Sequence, residues 1–340
     1  MQAFINIPVF IFVTMLFSHT IQTKPSKVYI INGNAQGTTY QITYLEKDST
    51  VAKIQIDSIF NRIDSSLSLY KPYSLINKFN KSEWGCELDD HFINVVKKAI
   101  QAYKETNGSF DITVKRLVQA WGFGEQKNNS KPDSSSILAL QKCTGTFMLK
   151  LDENKLRKQN PCVQIDCNGI AQGYTVDVIS DFLEKNSIKD YMVELGGEIR
   201  VKGKNQLDNQ WRVGVEMPGV DADFLPAKHT IYMSSGAVTT SGNYRNYFVK
   251  DGKTYSHLIN PVTGYPVDNG MISVTVVAKD AITADALDNG FMIMGVKKSL
   301  KFLAHKKDME AYFVYKKEDG TISDTATTGF YKYLKIKKLK

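Results

Sequence analysis

The chain has 340 residues, 42% of them hydrophobic and 11% aromatic against 23% charged, the balance of a protein that buries a sizeable core, so wholesale disorder is excluded. No apolar run approaches the roughly twenty residues a spanning helix needs, which excludes a multi-span membrane protein. The formal charge is +8, but Lys332, Lys335, Lys337, Lys338 and Lys340 crowd the last nine residues. The body is only mildly basic, which argues poorly for a nucleic-acid-tracking surface.

At the N-terminus, Ile5 to Phe17 is an apolar stretch of thirteen residues, too short to span a bilayer and suited to the apolar region of a secretory signal. Ser18 and Thr20 can occupy the small-residue positions before a cut, so residues 1–20 are predicted to be a signal peptide and the mature chain exported, although no Lys or Arg precedes the stretch. Lys24 and Lys27 follow it, which disfavours a retained anchor with its N-terminus inside. No Cys stands near the cut, so no lipid attachment is indicated.

Farther along, Thr39 to Leu45 alternates as a strand, and Val51 to Leu67 places Val51, Ile54, Ile59, Phe60, Ile63 and Leu67 on one helical face. A helix from Asp90 to Thr106 is stopped by Asn107-Gly108. Strands at Phe147 to Leu151 and Val163 to Ile165 lead into a helix from Gly169 to Lys185, with Ala171, Tyr174, Val178, Phe182 and Leu183 inward, and then a strand from Tyr191 to Leu195. The second half is richer in strands: Ile199 to Lys202, Trp211 to Glu216, and Tyr244 to Val249 with Thr254 to Ile259 flanking the tight-turn signal Asp251-Gly252. Ile272 to Ala278 is a further strand, Ile282 to Met294 a helix, and another helix and two strands close the chain. Strands and helices mixed without strict alternation read as α+β, and no repeat or low-complexity linker divides the body.

Several familiar chemistries are absent. Gly252-Lys253-Thr254 ends like a phosphate-binding loop, but Tyr247 stands where its first glycine belongs. Gly122-Phe123-Gly124 lacks the third glycine of a dinucleotide fingerprint. The histidines His19, His91, His229, His257 and His305 have no paired helical spacing for zinc. Cys86, Cys143, Cys162 and Cys167 have no CxxC spacing, so they are either disulfide partners in an exported protein or small buried hydrophobes.

Four segments can carry chemistry. Asp166-Cys167-Asn168-Gly169, continuing through Gln172 to Asp177, takes a strand end through glycines into a helix start, whose free N–H groups suit an anion such as a pyrophosphate. Asp285 and Asn289 stand four apart on one helical face and offer oxygens to a hard dication; an exposed polar face has the same spacing. His257, expected on the second strand of the hairpin, can accept a hydroxyl proton near neutral pH. Gly108-Ser109-Phe110-Asp111 with Trp121 to Gly124, and Ser68 to Lys71 upstream, combine aromatics, a carboxylate and loops suited to a flat heterocycle; core packing accounts for Trp121 and Phe123 equally well.

Together and in this order, these segments resemble the ApbE family, the FAD:protein FMN transferases. The pieces are Gly37-Thr38-Thr39-Tyr40, Ser68-Leu69-Tyr70, Asn77 to Asn80, the Ser-Phe-Asp and Trp-Gly-Phe-Gly pair, Asp166 to Asp177, Glu194 to Ile199, Thr240-Ser241-Gly242-Asn243-Tyr244-Arg245, Ser256 to Pro261, and Ala284 to Leu287. The resemblance implies an exported, Mg2+-dependent, T-fold-related enzyme of two intertwined α/β repeats in one compact body, over residues 28–330, with 331–340 left as a basic tail. It implies that FAD is the substrate and that an acceptor threonine attacks the phosphorus on the FMN side of the pyrophosphate, with AMP leaving. The acceptor would be another exported protein, a redox subunit bearing a threonine flavinylation motif, since Ser235-Gly236-Ala237 here is followed by Val238. Any membrane association would come only through that acceptor.

Carried over by the resemblance, Gln36, Tyr70, Ser109, Phe110, Asp111, Asp166, Gln172, His257 and Ile259 would contact the cofactor. Gly169, through its carbonyl, Asp285 and Asn289 would hold the metal, and His257 and Asp285 would be catalytic. Gln172 stands where many relatives carry Lys and Asn289 where Thr is frequent, so binding is expected to persist with altered affinity; the lipid-attachment Cys of exported relatives is missing. An FAD pyrophosphatase giving FMN and AMP, and a non-catalytic FAD-binding carrier, are the alternative readings.

Overall fold

A computed structural model describes residues 26–125, 131–216, 227–243, 247–250 and 253–334. The expected signal segment, Tyr244 and Arg245, the Asp251-Gly252 turn and the lysines from Lys335 onward lie outside the described residues. The first half runs β1 (Lys27–Ala35), β2 (Thr38–Glu46), α1 (Lys53–Leu67), α2 (Leu75–Lys81), β3 (Gly85–Glu87), α3 (Asp90–Glu105), α4 (Lys115–Ala120), α5 (Ser134–Gln141), β4 (Leu149–Asp152), β5 (Lys155–Lys158), α6 (Asn168–Lys185), β6 (Asp190–Leu195) and β7 (Glu198–Lys202). The second half runs β8 (Trp211–Glu216), β9 (Ala227–Met233), β10 (Ser235–Gly242), β11 (Tyr247–Lys250), β12 (Lys253–Ser256), β13 (Met271–Ala278), α7 (Ala281–Met294), α8 (Val296–Leu303), β14 (Glu310–Lys316) and β15 (Ile322–Ala326).

Eight strands form one sheet in the order β1-β2-β6-β7-β10-β13-β14-β15, with every neighbouring pair antiparallel. The first four come from the first half of the chain and the last four from the second, so two α/β halves meet where β7 pairs with β10. This is the expected α+β body of two repeats. Alternating strand residues feed separate cores, as a period of two requires. On β13 and β14, Val274, Val276, Ala311 and Phe313 pack with Leu287, Phe291 and Met292 of α7, while Val277, Tyr312 and Val314 pack with Val213, Val215 and Ile231 of the β8–β9 ribbon. A larger core joins β2 and β6 to α1, α3 and α6.

The structure corrects several expectations. Ile54 is 73% exposed and Ile56 takes its place in the core, because at 3.6 residues per turn Ile54 falls on the side of α1 away from Ile56 and Ile63. Val163 to Ile165 is no strand: the Ile165 N–H donates to Asn80 Oδ1 (2.7 Å) and its carbonyl accepts from Asn80 Nδ2 (2.9 Å), so a side chain stands where a neighbouring strand would. Phe147 lies in a 3-10 turn, Thr146–Met148, and is exposed. On α6, Ala171, Val178 and Phe182 are only half-buried, while Ile170, Val176 and Ile179 fill the core with Tyr174 and Leu183. Cys143 and Cys162 form a disulfide, and Cys86 and Cys167 are free and buried, so both cysteine readings hold, each for one pair. Among the described residues, no helix is long and apolar enough to cross a membrane.

Candidate active site

A cavity of about 830 Å³ opens between the two halves, floored by α6 and α7 and walled by the β6–β7 turn, β8, β10 and the segment after β12. Tyr70, Ser109, Phe110, Asp111, Asp166, Gly169, Gln172, His257, Ile259, Asp285 and Asn289 all line it. Gln36 does not: it sits in the β1–β2 turn with φ of 51°, and its amide donates to Thr175 Oγ1 on α6 (2.9 Å), bracing the turn. His257 lies one residue beyond β12 rather than within it, because Ser256 Oγ turns the chain by accepting the Leu258 N–H (3.2 Å).

Each wall is fixed locally. Asp166 hangs its backbone N–H on Ile112 O (2.7 Å), and its Oδ1 accepts the Asn168 N–H (2.8 Å) to open α6. Burial pushes the Asp166 carboxyl above its usual range. Asp111 holds the adjoining wall: Oδ1 accepts from Thr113 N (2.8 Å), Thr113 Oγ1 (2.6 Å) and Thr146 Oγ1 (2.7 Å), and Oδ2 accepts from Thr146 N (3.1 Å). Those threonines tie the Ser109–Asp111 segment to the turn before β4. Phe123 meets the His257 ring edge-on, with centroids 6.3 Å apart. Tyr70 stands 67% exposed at the rim. Gly196, at φ of 64°, lets the β6–β7 turn approach the floor, since a Cβ there would lie 2.8 Å from Thr38 Cγ2 and 3.3 Å from Gln172 Nε2.

The floor is acidic. Asp285 and Asp288 are 3% and 1% exposed. Asp285 Oδ2 accepts the Gly173 N–H (2.8 Å), and Asp288 Oδ2 accepts from Thr239 Oγ1 (2.6 Å). Burial raises both carboxyls, and each is raised further by a neighbouring carboxylate, Asp177 for Asp285 and Asp285 for Asp288. Asn289 Nδ2 points into a ring of oxygens: Asp285 O (3.0 Å), Asp288 Oδ1 (3.0 Å), Asp285 Oδ1 (3.3 Å) and Gly169 O (3.4 Å). Ser241 Oγ donates to Asn289 Oδ1 from β10 (3.4 Å). Glu194 and Glu198 also line the cavity, yet no Lys or Arg does among the described residues.

This donor set fits a hard dication. It is all oxygen, holds two adjacent buried carboxylates and a backbone carbonyl, and already surrounds a donor group. Ionised carboxylates repel an anionic ligand, and a cation between them would remove that repulsion. Among the described residues no three His, Cys, Asp or Glu side chains converge, a sparse set of the kind Mg2+ accepts because it keeps waters and shares its ligand's phosphate oxygens.

The sequence profile of the ApbE family matches residues 36–313. The chain belongs to the ApbE family. The FAD:protein FMN transferase of Vibrio cholerae is 36% identical over 318 residues, covering 92% of this chain and 94% of that protein. The enzyme of the same name from Haemophilus influenzae is 33% identical over 328 residues, 93% and 94%. The structure of the flavin transferase ApbE from Vibrio cholerae superimposes with a TM-score of 0.82 at 33% identity, over 91% of this chain and 100% of that one. These relatives are transferases, and with them this chain is placed among the enzymes of that class.

Within this ApbE site, sequence reasoning passed over Asp288, although it lies three residues from Asp285 and one from Asn289, on a helix too buried for a simple polar face. It also missed the Val213-Gly214-Val215 wall, which the fold brings to the cavity and no local spacing announces, whereas Thr240 and Ser241 of the quoted Thr240–Arg245 segment do line it.

Proposed function

We propose that this ApbE protein transfers the FMN moiety of FAD to a threonine hydroxyl of an exported acceptor protein, with Mg2+ bound and AMP released. Flavin transfer is supported by the relatives named above. The observation that carries the finer reading is the cavity itself, large enough for a dinucleotide and lined by carboxylates with no cationic side chain among the described residues. Gly169 O, Asp285 and Asn289, with Asp288 beside them, would hold the metal, which when bound supplies charge neutralisation at the pyrophosphate.

The chain's own residues supply position and proton handling. Tyr70 and the Ser109–Asp111 wall shape the mouth for the flavin, while Asp166, Gln172 and the β6–β7 turn hold the rest of the FAD against the floor. The acceptor threonine oxygen forms a bond to the FMN-side phosphorus as the bond from that phosphorus to the bridging oxygen breaks. His257 takes the threonine proton, and AMP leaves with the bridging oxygen. Export is supported by the apolar stretch at residues 5–17 and by the Cys143–Cys162 disulfide, which suits an oxidising compartment.

The open mouth also admits water, which would make the chain an FAD pyrophosphatase; an FAD carrier would bind without turnover. Mature protein with FAD and Mg2+, assayed for AMP with and without a threonine-bearing acceptor, separates the three. Transfer predicts AMP matched by acceptor-bound flavin fluorescence that survives denaturation. AMP with free FMN and no acceptor labelling would establish the pyrophosphatase, and no AMP under either condition the carrier.

A further inference from the structure

The two helices carrying the metal ligands meet at positions spaced four apart on each. Along α6 these are Gly169, Gly173 and Asp177; along α7, running the opposite way, they are Asn289, Asp285 and Ala281. At the middle contact the Gly173 N–H reaches Asp285 Oδ2 at 2.8 Å, and an added Cβ on Gly173 would run into the Ala281 carbonyl and lie 2.7 Å from Asp285 Cβ. At the far end Asp177 takes the first two N–H groups of α7, Ala281 on Oδ1 (3.0 Å) and Ile282 on Oδ2 (2.9 Å). These are donors that the helix cannot satisfy itself. From the sheet side, Arg200 on β7 donates to Asp177 Oδ1 (2.9 Å) and is steadied by Asp181 (3.2 Å) and Glu184 (3.4 Å). Asp177 does not line the cavity.

We propose that Asp177, locked by Arg200, is a positioning residue for the cation site: it sets the register of α7 on α6, and so the placement of Asp285 and Asn289 opposite Gly169. The proposal rests on the metal reading given above. Ala281 to Asn289 spans about 12 Å of helix, and a stiff helix carries a slip at its capped end to the ligand end. Mg2+ tolerates little departure from its preferred geometry, so a small change in register should cost affinity. Evolution of a simple cap would need neither a second carboxylate after Asp280, whose Oδ1 already accepts the Thr283 N–H (3.0 Å), nor an arginine aimed at it.

The test is the melting temperature of the full mature chain with FAD present and no acceptor, followed as Mg2+ is added back after chelation. The expected result is that Asp177→Asn and Arg200→Gln move the Mg2+ midpoint of the stabilisation upward about tenfold. Glu184→Gln, which removes a carboxylate from the same ion cluster without touching α7, keeps the wild-type midpoint. If Asp177→Asn does not fold, Arg200→Gln decides, since it leaves the capping carboxylate in place and removes only its anchor. A wild-type midpoint in the folded variants, or an equal shift in Glu184→Gln, overturns the positioning role alone. A wild-type chain whose melting does not respond to Mg2+ overturns the metal reading and the proposal together.

Discussion

Gly173 shows how little room the floor allows. Its missing Cβ is what lets α6 and α7 touch backbone to side chain, and the space an alanine methyl needs is held by the Ala281 carbonyl. Because that obstacle is backbone, relief requires the helices to separate, not a side chain to rotate. Gly173→Ala should therefore destabilise the fold by about 1–3 kcal/mol, the usual cost of overpacking, as measured by urea unfolding. A variant as stable as wild type would show that the helices are not held this closely. The residue scale is also where the sequence pointed to residues that line the cavity. Asp166, Gly169, Asp285 and Asn289 were legible as cavity residues because the order of their segments resembles the family's, spacing alone being shared with a polar face, whereas Gln36 shares its segment with cavity residues Thr38 and Thr39 but bonds to Thr175 instead.

At the scale of elements, two devices fasten α6 to its surroundings. The Cys143–Cys162 disulfide spans a separation of 19 residues and joins the turn after α5 to the segment that leads into Asp166 and α6. Replacing both cysteines by serine should lower stability by about 3 kcal/mol, and dithiothreitol should do the same to the wild type alone in urea unfolding. An equal effect of reductant on the double variant would exclude the disulfide as its cause. At the other end of α6, Glu184 is buried enough to raise its carboxyl, but hydrogen bonds from Lys202 and Tyr191, with the Arg200 charge, hold it below its usual range. The ionised form is thus favoured in the folded state. Its contribution is present above the ordinary carboxylate range and is lost as pH falls through the lowered folded value. Glu184→Gln should flatten the acid side of the stability profile, read as urea midpoints from neutral to acid pH; an unchanged slope would remove Glu184 from that role.

Legibility differed among elements for physical reasons. Helices α1, α3, α6 and α7 and strands β2, β6 and β13 were found because apolar periodicity and stop signals mark them. Strand β10 was missed because Ser235–Gly242 is largely Ser, Thr and Gly, and only its central place between β7 and β13 makes it a strand. Strand β1 was missed because its outward residues, Val28 and Ile30 among them, stay exposed at the sheet edge and give no alternating pattern.

For the whole molecule, the +8 surplus and the site have opposite signs. Among the described residues no Lys or Arg lines the cavity, which is lined by Asp111, Asp166, Glu194, Glu198, Asp285 and Asp288. A net charge therefore says nothing of the local field at the cavity; on the proposed reading, the acidic floor points to a dication as the group that would neutralise the phosphates. The antiparallel sheet supports this by bringing one half's glycine-rich helix start against the other half's aspartate-bearing helix, so neither half holds a complete site. The most direct measurement of the central claim is mass spectrometry of a threonine-bearing acceptor after incubation with the mature chain, FAD and Mg2+, beside Asp285→Ala and a chelator control. FMN phosphoester-linked to the acceptor threonine, with AMP in equal amount and both lost by orders of magnitude in the two controls, is the predicted result. Equal labelling in chelator or in Asp285→Ala, or flavin that appears only free in solution, would contradict it.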